Sequence, residues 1–162
     1  MNDYKKTNWW TYLDESMRDL VEESFVLLER EEKLQEKLHD YSFAVFPMAK
    51  AYEGFLKKLL LDMKLIDSRQ YFGEHFRIGR ALNPSLPKRY RAGWVYGKLV
   101  QSCGSEELPL FLWEVWKRAR NRIFHFFPDH HEFINLNEAR EMIERLAEGM
   151  ERALEGCEPR FG

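Results

Sequence analysis

Leu20, Leu27 and Leu34 recur every seventh residue in "DESMRDLVEESFVLLEREEKLQEKLHD", with Leu28 and Leu38 widening the stripe. This spacing lines one face of a helix and cannot serve a strand, whose side chains alternate from face to face. Glu29 and Lys33 add a favourable pair one turn apart. The stretch predicts one long amphipathic helix, with "EREEKLQEK" as its solvated side.

The same period continues along the chain. In "YSFAVFPMAKAYEGFLKKLLLDMKLI", Phe43, Phe46, Ala49, Tyr52, Leu56, Leu59, Leu60 and Met63 predict a second long helix. Pro47 should kink it or mark its start, because proline lacks the N–H and clashes with the preceding turn. From Asp67 to about Arg89, Gly and Pro residues predict an irregular connection or a short helix. A third helix is expected across "YRAGWVYGKLVQSC". Ser105 is a candidate N-cap for a fourth, which carries Phe111, Leu112, Val115, Trp116 and Ala119. A fifth, capped by Asn135 or Asn137, aligns Met142, Ile143, Leu146, Met150 and Leu154. No β-branched run of period two competes, so the expected class is all-α, a bundle of about five helices.

A chain of 162 residues fits one domain over residues 1–162 and can bury a core without staples. No Gly/Ser-rich or Pro-rich linker divides it. The polar start "MNDYKKTNWWTYLDE" lacks the apolar core of a signal peptide, and no window offers about 18 uninterrupted apolar residues. These features predict a soluble cytoplasmic protein with no membrane partner. Cys103 and Cys157 are far apart and in neither a CxxC nor a zinc-like spacing, which predicts reduced thiols.

The net charge of -2 hides an uneven distribution. Residues 1–66 hold 10 Lys/Arg against 13 Asp/Glu, residues 67–135 hold 11 against 7, and residues 136–162 hold 4 against 7. In the basic middle, Arg77, Arg80, Lys88, Arg89 and Arg91 alternate with Tyr71, Phe72, Phe76, Tyr90 and Trp94. Cations that neutralise phosphates beside rings that stack on bases suit single-stranded RNA. The competing reading is a solvated loop whose aromatics fold into the core.

"RNRIFHFFPDH" then gathers Arg120, Asn121, Arg122 and His125 where an aromatic-rich helix should end before Pro128. Asn121 and His125 are i,i+4 neighbours, but Arg120 and His125 would stand about 140° apart on a regular helix. Their convergence needs a break in the helix or a symmetric dimer that brings two copies together. A helix C-terminus favours imidazolium, so a histidine there can exchange protons near neutral pH. Arg120 offers a planar fork for phosphate oxygens, Asn121 can fix a tautomer, and Arg122 adds a cation along an RNA path. Together they suit transesterification at an RNA phosphate, in which histidine handles a proton at the 2′-OH or the leaving 5′ oxygen. That chemistry needs neither cofactor nor metal. A capping histidine beside a solvated arginine is the bland alternative.

The signature Arg120-Asn121-Arg122-Ile123-Phe124-His125, late in a helical chain, resembles that of the HEPN superfamily. The segment "FPMAKAYEGFLKKLL" is similar to the earlier HEPN helix whose glutamate faces the motif, and Glu53 matches that position. Over roughly residues 14–155 the combination resembles RNase LS-type toxins, without their long N-terminal regions. The resemblance implies an HEPN-like bundle and a metal-independent endoribonuclease acting as a homodimer, with an antitoxin protein as a further partner. Its products would be a 2′,3′-cyclic phosphate and a 5′-OH. Arg120, Asn121, His125 and Glu53 would be catalytic, with Glu53 orienting the arginine or histidine, although Glu53 can equally pair with Lys50 or Lys57. Gly54 would permit close helix approach.

Other HEPN proteins serve as non-catalytic RNA-binding or assembly modules, which is the alternative reading of the chain. Two rival patterns remain. His125, Asp129, His130, His131 and Glu132 cluster with the residue types of metal ligands but without the spacing of a known site. Trp9, Trp10 and Tyr12 could dock on another protein or pack on their own core.

Overall fold

The computed structural model describes residues 3–34, 37–126, 128–129 and 133–156, and of Asn121 and Arg122 only the backbone. Its elements are α1 (Asn8–Tyr12), α2 (Glu15–Lys33), α3 (Ser42–Asp62), α4 (Ser68–Phe72), α5 (Ile78–Ala81), α6 (Tyr96–Cys103), α7 (Glu107–Trp116) and α8 (Leu136–Gly156). A π-helical stretch over Lys117–Arg122 continues α7, and no strand occurs among the described residues. The class is therefore all-α. The five helices of the sequence reading are α2, α3, α6, α7 and α8, and the irregular connection or short helix expected between Asp67 and Arg89 holds two short ones, α4 and α5; α1 has no counterpart in that reading.

α3 is apolar on most of its circumference and sits at the centre, packed against α2 and α8 and in contact with α5, α7 and the π-helical stretch. Met48, Tyr52, Phe55, Leu56, Leu59 and Leu60 are all buried. A stripe of Phe43, Phe46, Lys50, Glu53 and Lys57, at intervals of three and four residues, stays out of the core, flanked by the partly buried Gly54 and Lys58. Tyr52 joins three helices: its hydroxyl donates to Leu112 O in α7 at 3.2 Å, and Gly149 of α8 lies so close that a Cβ there would fall 2.9 Å from the same oxygen. Gly54 similarly faces Met17 of α2, whose side chain lies 3.0 Å from where a Cβ would be.

Pro47 does not start α3, which begins at Ser42 and runs through it. The ladder that a proline disturbs is repaired from outside: Met48 N donates to Ser24 Oγ of α2 at 2.8 Å. Ser24 is fully buried, so this bond satisfies both a core hydroxyl and a core amide. Ser24→Ala should leave the amide unpaired and cost about 1–3 kcal/mol. The expected reading is a lower denaturant midpoint with an unchanged m value.

Helix ends correct several expectations. α2 stops at Lys33, short of Leu38, because Leu34 turns to extended backbone. α3 closes in a Schellman arrangement, with Leu65 N bonded to Leu60 O and Lys64 N to Leu61 O, and Lys64 takes a φ of 58°. α6 begins only at Tyr96, after Gly93 adopts a φ of 75°. The N-cap of α7 is Glu106, not Ser105. Asn135 is the cap of α8: its Oδ1 accepts from Glu138 N at 3.0 Å while Asn135 N donates to Glu138 Oε2 at 2.7 Å.

The N-terminal aromatics pack inward. Trp9 is buried, Tyr4 stacks on Phe25 with centroids 4.4 Å apart, and Tyr12 donates to Asp62 at the end of α3. Cys103 is disulfide-bonded, contrary to the reduced thiol expected, while Cys157 lies outside the described residues. No helix among the described residues is long and apolar enough to cross a membrane.

Candidate active site

The polar stripe of α3 is where the site forms. Phe46 and Glu53, two turns apart, face the segment that follows α7. Trp116 ends α7, Arg120 lies within the π-helical stretch, and Phe124 and His125 follow it; all four line one cleft of about 350 Å³ with Phe46 and Glu53. Arg77 and Gly79, at the start of α5, supply the remaining wall.

Arg120 and His125 thus line one cleft within a single chain, and the helix breaks between them: the π-helical stretch stops at Arg122, and His125 lies in a bend just beyond it. Phe124 meets Phe46 edge-on with centroids 5.2 Å apart, which holds the segment bearing His125 against α3. At the far side of the motif, Tyr41 N donates to Ile134 O at 3.0 Å and Ile134 N to Asp40 Oδ1 at 3.1 Å, tying the entry to α8 to the entry to α3.

Glu53 Oε2 lies 3.3 Å from Arg120 Nε, and its other oxygen 3.9 Å from Lys57 Nζ. The motif arginine is thus the nearer partner, and Lys50 is not one. Contact through Nε leaves the two terminal nitrogens of the guanidinium for an anion. The Glu53 side chain is 20% exposed and that of Arg120 37%, so the pair is partly shielded from screening yet open to a ligand. His125 is exposed on the rim.

Two lining residues were not anticipated. The Trp116 ring presses on α5 so tightly that a Cβ at Gly79 would fall 2.4 Å from it, which makes glycine the residue that lets α5 close the cleft. The indole Nε1 is buried without a hydrogen-bond partner, an orphan donor in a residue of the wall. The signal was present in the sequence: Trp116 and Arg120 are i,i+4, as Phe46 and Glu53 are i,i+7, and both spacings share a helix face.

The other expected residues divide. The side chains of Asn121 and Arg122 lie outside the described residues, as do His130, His131 and Glu132 of the rival metal cluster. No group of three metal-ligating side chains gathers among the described residues. Of the basic segment, Arg77 lines the cleft and Arg80 a neighbouring pocket, while Lys88, Arg89 and Arg91 line neither. Arg91 is committed to its own loop, donating to Leu86 O at 2.8 Å and stacking 4.2 Å above Trp94. Arg89 covers Tyr90. Phe76 is buried and Trp94 donates to Asn83 O, whereas Phe72 and Tyr90 are exposed rings.

A groove of about 420 Å³ between α7 and α8 mixes Glu114, Glu138 and Glu141 with Arg118 and Arg145 and contains no histidine. It lacks the combination of arginine, glutamate and histidine that lines the first cleft. No family model, curated protein or solved structure matches the chain.

Proposed function

We propose that this protein is a metal-independent endoribonuclease of the HEPN type, cleaving single-stranded RNA to a 2′,3′-cyclic phosphate and a 5′-OH. The observation that carries the reading is the meeting of Arg120, Glu53 and His125 in one cleft, with Arg120 held by the carboxylate through Nε. In the proposed reaction the 2′ oxygen attacks phosphorus and the P–O5′ bond breaks. The proton lost from the 2′-OH balances the one gained by the 5′ oxygen; His125 transfers one of them and water exchanges the other. Arg120 neutralises charge gathering on the phosphoryl oxygens. Glu53 is a positioning residue, because it acts through Arg120.

The expected assembly is a homodimer restrained in its host by an antitoxin, and its expected compartment is the cytoplasm. The exposed rings of Phe43, Phe46 and Phe126 beside the motif suit such a pairing face. The test is incubation of the purified protein with end-labelled single-stranded RNA in EDTA, followed by analysis of product termini. Cyclic phosphate and 5′-OH ends are expected. Intact RNA, or ends bearing 5′-phosphate, would overturn the assignment.

A further inference from the structure

The cleft is not an isolated hollow, because Arg77 lines both it and a second pocket of about 340 Å³. Around that pocket stand Arg69, His75, Arg77 and Arg80, with no carboxylate among its lining residues. None of the three arginines makes an ion pair or side-chain hydrogen bond with a described residue. Several other arginines are spent on the fold: Arg18 donates to Trp10 O and Thr11 O, Arg140 pairs with Glu32, and Arg152 with Glu107 and Glu148. Three unpaired guanidinium groups around one concavity repel each other and are the arrangement that a phosphate relieves.

The apolar part of its lining is formed by Phe76, Ala81, Ala92 and Gly93. Gln70 stands over it with a fixed orientation. Its Oε1 accepts from Asp67 N at 3.0 Å in the capping box of α4, and its Nε2 lies 3.9 Å from where a Cβ of Gly93 would be. The amide therefore presents donors to the pocket and keeps its acceptor turned to the backbone. A cationic rim, an apolar lining and a fixed donor are complementary to a phosphate, a base face and an acceptor on a base edge.

We propose that this second pocket is a subsite for a nucleotide flanking the cleaved phosphate in single-stranded RNA, with Arg77 bridging adjacent phosphates between the two cavities. The inference rests on the nuclease reading for the word flanking, but its binding prediction does not. It also divides the basic segment: Arg69 and Arg80 contact RNA here, whereas Arg91 supports the loop.

The test uses a fluorescent single-stranded RNA with 2′-O-methyl sugars, which lacks the attacking hydroxyl and stays intact, titrated by anisotropy over a range of salt. Arg69→Ala and Arg80→Ala should each weaken binding about tenfold, as loss of a charge-assisted hydrogen bond does, and each should flatten the logarithmic salt slope by about 0.7. Arg30→Ala, an exposed arginine of α2 that lines neither cavity, should leave both quantities near wild type. Unchanged affinity and slope in the Arg69→Ala/Arg80→Ala double variant would overturn the subsite, as would absence of binding by the wild type. If binding follows the expected pattern while unmodified RNA stays intact in EDTA, the pocket stands and the catalytic reading falls.

Discussion

His125→Ala should lower the single-turnover rate of RNA cleavage by about 10²–10⁴-fold, the range that a positioned acid or base contributes. Arg120→Ala should lower it by about 10²–10³-fold, as loss of one preorganised charge-stabilising donor does. Arg120→Lys should recover little, since a lysine cannot bind Glu53 through one nitrogen and present two more in a fixed plane. Both side chains are partly or fully exposed and neither belongs to the core, so helical content and thermal midpoint should stay near wild type. The double variant should fall little below the worse single one, because residues that act as a unit are not additive. Full activity in either single variant would refute the mechanism.

Above about pH 10 the fold should lose stability steeply, because several tyrosines hold their protons when folded and release them when unfolded. Burial pushes Tyr52 well above the ordinary phenol range, and burial together with the hydrogen bond to Asp62 does the same for Tyr12. Tyr96 is raised to about 12 by burial, with help from its bond to Glu106. A raised folded pKa gives stability that is complete below the unfolded value and disappears as pH climbs through the folded one. The window is therefore about pH 10 to 12. Tyr52, fully enclosed, should contribute up to about 1.4 kcal/mol per pH unit there. Tyr12 and Tyr96 add smaller amounts, since solvent screens them more. Denaturant midpoints across this window check the slope, which Tyr52→Phe should reduce. Titration of all seven tyrosines near their ordinary pKa with the fold intact would contradict it.

The long helices were legible because each buries a stripe that the periodicity exposes, and α8 with its Asn135 cap is the clearest case. Glu53 and Arg120 were legible as a pair only through the resemblance, since nothing in the spacing of residues 53 and 120 places them together. The short helices α1, α4 and α5 fall below the length at which a period can be read. Cation patterning over residues 77–91 carries no information on what each cation contacts. It could not distinguish Arg80, without an ion pair or side-chain hydrogen bond among the described residues, from Arg91, which braces Leu86 and Trp94. The π-helical stretch left no trace in hydropathy, because it is a choice of backbone partner.

That choice makes the motif a matter of phase. Over Lys117–Arg122 the chain carries one residue more than an α-helix of the same pairing needs, so the polypeptide keeps time differently on either side of the segment. Removing Ala119, which does not line the cleft, would restore regular pairing and set Arg120 one position nearer Trp116, about 100° back around the axis, while the residues beyond the segment keep nearly their phase. Arg120 would then be carried away from Glu53 with every side chain of the cleft still present. At this place the number of residues matters as much as their identity, and an inventory of side chains would not register the loss.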